Sequence, residues 1–205
     1  LIDKLKPFTY LNLMNLKNKI LVKSLELFEA YGIKQVTMDD ISETLGISKK
    51  TLYKHFAGKE ELVNKVIQFL FELHFKAIHR IIGNNNSSIQ KIDTIYEYAL
   101  NYLMKVTPVF QFDLKKYYSD SYKIYDQNRK KIIFGIIKDF LDRGQLKGTI
   151  DKSIHTDLFC EFHLMSLDKI ITYNALPTDY SAREILDNSI GVSLKGIINQ
   201  TKKVN

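Results

Sequence analysis

Tryptophan is absent from the chain, and cysteine occurs once, as Cys160. A single thiol cannot build an internal disulfide framework, so packing has to hold the fold, and the composition fits a reducing, cytoplasmic setting. Three prolines and nine glycines in 205 residues leave room for long unbroken helices. No apolar run approaches the ~20 residues of a membrane-spanning helix, so no membrane partner is expected. No strand-like alternation flanked by hairpin turns is present, and no repeat period stands out. There is no phosphate-cradling P-loop, no dinucleotide fingerprint, no GxSxG elbow and no HExxH pair. Nothing therefore recommends an enzyme, a metal centre or a cofactor. One further absence is local: no acidic residue occurs between Gly46 and Lys59.

What is present is positive charge and helical periodicity. The net charge is +7 and the pI about 9.2, a balance that suits a nucleic-acid partner without establishing one. The most informative stretch is TMDDISETLGISKKTLYKHF, residues 37–56. Thr37 is a good N-cap, Met38, Ile41 and Leu45 share one face, and Gly46 can end the helix in a left-handed conformation. Ile47 points the turn inward and Ser48 caps a second helix, whose Leu52 and Phe56 face the core. Two short helices, a turn with glycine and a second helix able to enter a major groove make a helix-turn-helix. The outer face of that second helix carries Lys49, Lys50, Thr51, Tyr53, Lys54 and His55, with Lys59 following. Such a face suits phosphates; the plainer reading is a solvated basic helix.

The wider stretch from Ile20 to Val66 resembles the DNA-binding domain of the tetracycline-repressor-like (TetR) family of bacterial transcription regulators. The resemblance rests on LVKSLELFEAYGIKQVT, MDDISETLGISKKTLYKHF and GKEELV, and the LYKHF–turn–KEEL piece is its most specific part. It implies an all-α chain of about nine helices. Residues 14–74 would form the helix-turn-helix domain, and 75–205 a helical ligand-binding and dimerisation domain. It also implies a sequence-specific, homodimeric regulator, most simply a repressor released from a palindromic operator on double-stranded DNA by an unidentified small-molecule inducer. Thr37, Tyr53, His55 and Lys59 match positions that hold backbone phosphates in the family. Ser48, Lys49, Lys50, Thr51 and Lys54 sit where base edges are read or the adjacent backbone is held. An architectural or nonspecific DNA binder is the alternative.

The remaining chain is read as helices. Residues 1–13 are taken as an extension before Met14; the alternative is an N-terminal arm reaching DNA through Lys4 and Lys6. The first helix runs from Leu16 to Tyr31, with Lys17, Lys19 and Lys23 either solvated or near phosphates. A fourth begins at Lys59 with a broad apolar face, and later ones are expected at 89–106, 108–118, 121–143, 153–174 and 181–202, with one break at Leu176-Pro177. The helical part is rich in aromatics, and Phe69, Leu73, His74, Tyr102, Tyr122, Tyr125 and Arg129 are the candidate pocket residues. His74 is either a hydrogen-bonded core residue or a ligand contact. Arg129, if buried, needs a partner: an anionic ligand or an acidic neighbour. Cys160 and His163, at i, i+3, could share a metal, but no third ligand is evident. In the last helix Leu186, Ile190, Leu194 and Ile197 form a stripe beside Ser189 and Ser193. By resemblance these residues would form the dimer interface; the plainer reading is ordinary packing within one chain.

Overall fold

The computed structural model describes residues 15–173 and 179–198. The expected extension at 1–13, the Leu176-Pro177 break and the end of the expected last helix lie outside the described residues. Within them the chain is helical; an isolated antiparallel bridge joins Ile150 to Ile198, and no strand is formed. No described helix is long and apolar enough to cross a membrane.

The chain divides into two compact units. The first comprises the described residues up to Phe71 together with Val109–Ile124, and the second Glu72–Pro108 with the chain from Tyr125 on. The expected division at 74/75 lies three residues beyond this one, and Val109–Ile124 belongs to the first unit although it comes later in the chain.

In the first unit, α1 (Leu16–Tyr31) starts at Asn15, whose side chain accepts from the Asn18 amide, and buries Ile20, Leu21, Leu25 and Phe28. α2 (Met38–Thr44) packs on α1, and α3 (Lys49–His55) packs on α2. The first half of α4 (Lys59–Ile82) buries Leu62, Val63, Val66, Ile67 and Leu70. Most of α6 (Pro108–Tyr117) also belongs here and buries Phe110 and Leu114. Gly32, which follows α1, has φ +86°, and a Cβ on it would stand 2.5 Å from Val109 Cγ1. Only glycine lets α6 approach the α1–α2 turn this closely.

The second unit holds the remainder of α4, α5 (Ser88–Leu103), the end of α7 (Ser119–Lys130), a π-helical stretch Lys131–Ile137, α8 (Lys138–Leu146), α9 (Thr156–Tyr173), α10 (Ala182–Asp187) and α11 (Ile190–Gly196). α7, the π stretch and α8 form one continuous helix, so the described residues make ten helices, in keeping with an all-α chain of about nine. Wider turns in the π stretch shift the helical register. A 3.6-residue period puts Ile136 and Phe140 on the buried face, whereas the structure buries Ile133, Ile137 and Leu141. Their spacing of four keeps them in line with Tyr125 and Arg129.

The expected single last helix is broken. Ser189 has φ −130° and ψ −102°, outside the helical region, and separates α10 from α11. A Cβ on Gly191 would lie 2.7 Å from the Leu186 carbonyl oxygen, so the two short helices meet closely across the break.

Candidate nucleic-acid interface

The turn between α2 and α3 is built as its residues dictate. Gly46 adopts φ +64°. Its amide donates to the Glu43 carbonyl at 3.0 Å and the Ile47 amide to that of Ser42 at 3.0 Å, the paired bonds of a Schellman ending. Thr37 and Asp40 form a capping box: the Asp40 amide donates to Thr37 Oγ1 at 3.1 Å, and the Thr37 amide to Asp40 Oδ2 at 2.7 Å. The Thr37 hydroxyl donates to the same carboxylate at 2.8 Å; the bond from the Thr37 amide, and then that from its hydroxyl, hold the Asp40 carboxyl below its ordinary range. Both Thr37 donors are thus engaged within α2. Ser48 caps α3 by accepting from the Thr51 amide at 3.1 Å.

Leu52 and Phe56 are buried, which fixes the rotation of α3 and turns Lys49, Lys50, Tyr53 and Lys54 to solvent. Thr51 and His55 are half-buried at the edges of that face. Lys49 pairs with Asp39 of α2, an exposed pair that places the first lysine of α3 at little energetic gain. Lys59 is half-buried and donates to the Lys34 carbonyl at 3.0 Å. Burial lowers its pKa, opposed by the nearby Asp113 and Asp40 carboxylates. Asp39 and Lys34 were not among the expected site residues; both meet the site through tertiary contacts that spacing does not reveal.

Residues 20–66 match the sequence profile of the bacterial regulatory proteins of the tetR family. The DNA-binding domain at residues 20–66 is of the TetR type. It is 25% identical over 186 residues to the uncharacterized HTH-type transcriptional regulator YvaF of Bacillus subtilis, covering 87% of this chain and 94% of that protein. It is 31% identical over 91 residues to IcaR of Staphylococcus epidermidis, the HTH-type negative transcriptional regulator of the biofilm operon icaADBC. That match covers 44% of this chain and 47% of IcaR, about half of each. In fold it resembles the transcriptional regulator FadR of Bacillus subtilis, solved in complex with stearoyl-CoA, with a TM-score of 0.70 at 17% identity, over 86% of this chain and 96% of that one. Carrying this domain, the chain is a transcriptional regulator and not an enzyme.

The expected pocket residues are split between the units. Phe69 is buried and Tyr122 half-buried in the first. Leu73, His74, Tyr102, Tyr125 and Arg129 belong to the second. There the rings of His74 and Tyr102 meet edge to face at 4.6 Å, and His74 Nδ1 lies 2.7 Å from the Tyr98 hydroxyl. Burial pulls His74 down to about 4, so it is neutral at ordinary pH. Arg129 has acidic neighbours: it pairs with Asp168 and, at 3.4 Å, with Asp126, and its guanidinium lies over the Tyr125 ring at 5.3 Å. Its charge is thereby compensated within the unit, although Nε has no acceptor among the described residues.

The geometry removes the Cys160–His163 metal reading. The Tyr96 hydroxyl lies 2.7 Å from His163 Nδ1, and Nε2 lies 2.9 Å from Ser193 Oγ. Ser193 itself donates to the Ile190 carbonyl, so it accepts from Nε2, and Nδ1 accepts from Tyr96. Neither nitrogen keeps a lone pair for a metal. Cys160 is buried against the Ile133 carbonyl, and burial pushes its thiol up to about 12.

The expected dimer stripe also needs correction. Leu186, Ile190, Leu194 and Ile197 are buried in the second unit's own core, and Ser193 is engaged with His163. Their periodicity records packing inside one chain. Exposed apolar side chains stand elsewhere: Leu158, Phe162 and Met165 at i, i+4, i+7 on α9, and Val192 on α11, each more than half exposed.

Proposed function

We propose that this regulator is a homodimeric, sequence-specific repressor that leaves a palindromic operator when a small molecule binds. One observation carries the reading. Burial of Leu52 and Phe56 in the first unit forces a basic, hydroxyl-bearing face of α3 outward from a well-capped helix-turn-helix. Lysine suits guanine O6/N7, and lysine and tyrosine suit phosphate oxygens. The role of IcaR as a negative regulator favours repression, and the stearoyl-CoA held by FadR favours a small-molecule effector. The apolar strip Leu158–Phe162–Met165 is the dimer surface in this reading. Two copies would set two α3 helices in successive major grooves, about 34–36 Å apart.

α4 is the element suited to carry the signal. It is one helix of 24 residues whose first turn holds Lys59 and whose later turns carry His74. At 1.5 Å per residue these positions are about 22 Å apart along the axis. An effector that shifts the distal half releases DNA only if it binds the DNA-incompetent state better, and operator then weakens effector binding by the same factor. Selection of bound duplexes from a random pool tests the function. A two-fold-symmetric motif with half-sites one helical turn apart is expected. Recovery of DNA without an enriched motif would favour the nonspecific reading instead.

A further inference from the structure

The first unit carries a second basic surface that α3 does not account for. Lys34, in the α1–α2 turn, places Nζ 3.4 Å from the Tyr117 hydroxyl and 4.5 Å from that ring's centroid. Lys116 lies over the Phe112 ring at 5.0 Å and the Tyr117 ring at 5.3 Å. Phe112 and Tyr117 stand edge to face at 6.3 Å, and both are exposed. Two exposed ammonium groups thus converge on one tyrosine, held by aromatic faces rather than by carboxylates. Neither has a carboxylate partner among the described residues. The nearest acid, Asp113, is buried and accepts from the Lys34 amide at 2.7 Å, on the inner side of the turn.

This arrangement has the marks of an anion clamp. Like charges converge where a polyanion can separate them, the rings restrict lysine rotamers before binding, and the phenol adds a hydroxyl donor. It is also continuous with the helix-turn-helix. The Lys34 carbonyl accepts from Lys59 Nζ at 3.0 Å. Thr37 lies three residues on, within about 11 Å of extended chain. Each DNA strand presents a phosphate about every 3.4 Å of axis, so a span of that size meets neighbouring phosphates of the same backbone.

We propose that Lys34, Lys116 and Tyr117 clamp the DNA phosphate backbone beside the groove entered by α3, extending the footprint beyond the helix-turn-helix. The inference rests on the DNA-binding reading but not on sequence specificity, because phosphate contacts are indifferent to sequence.

The test is the salt dependence of binding by the full chain, wild type and Lys34→Ala/Lys116→Ala, on a selected site and on a random duplex. Both side chains are exposed, so the thermal melt should not move. Loss of at least one phosphate contact per subunit should flatten log K against log[salt] by about two for a dimer, on both duplexes, with the selected motif unchanged. Tyr117→Phe, which keeps both charges, should lower affinity and leave the slope intact. Equal slopes for wild type and double variant overturn the clamp, as does a loss confined to binding of anionic lipid vesicles. Failure of the specificity reading looks different: wild type would bind both duplexes equally, and the double variant would still show the flatter slope.

Discussion

Replacing Phe162 with alanine should weaken the dimer and leave the subunit folded. Phe162 is 58% exposed in one chain, so a little over half of its surface awaits a partner. Burying a whole phenylalanine side chain is worth about 1.5–3 kcal/mol, and the exposed share about 0.9–1.7. A two-fold interface uses the residue twice, which gives about 1.7–3.5 kcal/mol, or roughly 20- to 300-fold in the dimer dissociation constant. Sedimentation velocity over a dilution series reads that constant, and circular dichroism reports the fold. Leu194→Ala is the contrasting variant. Leu194 is 2% exposed inside the core, so its truncation should cost about 2–5 kcal/mol of fold stability. A Phe162→Ala protein that dissociates like wild type would refute α9 as the seam. Selective loss of dimer in Leu194→Ala, with an unmoved melt, would restore the last helices to that role.

Three further outcomes follow from single residues. Tyr53→Ala removes an exposed side chain while Leu52 and Phe56 stay buried, so operator affinity should fall with no change in helical content; a folded variant binding as wild type would remove Tyr53 from the interface. His74 and His163 both have folded pKa values lowered to about 4, below the unfolded value of about 6.5. The unfolded chain then binds the extra protons between these values, so stability is full above about pH 6.5 and falls as pH drops toward 4. Urea midpoints across that window should show the slope, and His163→Gln, which keeps an acceptor for Tyr96 and a donor for Ser193, should remove part of it; an unchanged slope would place the coupling elsewhere. Gly46→Ala and Gly32→Ala should differ in thermal melts. At Gly46 (φ +64°) a Cβ meets nothing within 4 Å, so the cost is conformational, about 1 kcal/mol. At Gly32 the clash with Val109 adds to it, about 1–3 kcal/mol more. Val109→Ala should recover part of the added cost in the double variant, the contact with Asp113 Oδ2 at 2.9 Å remaining, and equal costs at the two glycines would dispute the close approach of α6.

The DNA-binding half was legible because its signals are local. Thr37, Gly46 and Ser48 act on amides within three or four residues, and Leu52 with Phe56 sets the rotation of α3 by spacing alone. The second unit was less legible because its decisive features are not local. A 3.6-residue period assumes α-helix throughout, and the π stretch at Lys131–Ile137 moves the buried face by one residue, from Ile136 and Phe140 to Ile137 and Leu141. Ser189 has no proline or glycine signature of its own; Gly191, two residues on, leaves room for the close approach to the Leu186 carbonyl that accompanies the break.

The same distinction explains the misplaced dimer stripe. Apolar periodicity states that a face is covered, but not by what. Leu186, Ile190 and Leu194 satisfy that pattern against Ile92, Tyr96 and Leu164 of their own unit. On α9 the exposed strip is interrupted in sequence by buried Cys160, His163 and Leu164, so the helix looks apolar all round rather than amphipathic. A helix of that kind is buried on several sides. In one chain α9 is covered on one side only, by the core and the Tyr96–His163–Ser193 chain of hydrogen bonds. Leu158, Phe162 and Met165 are the exposed remainder among the described residues, and in the dimeric reading proposed above a second copy covers them.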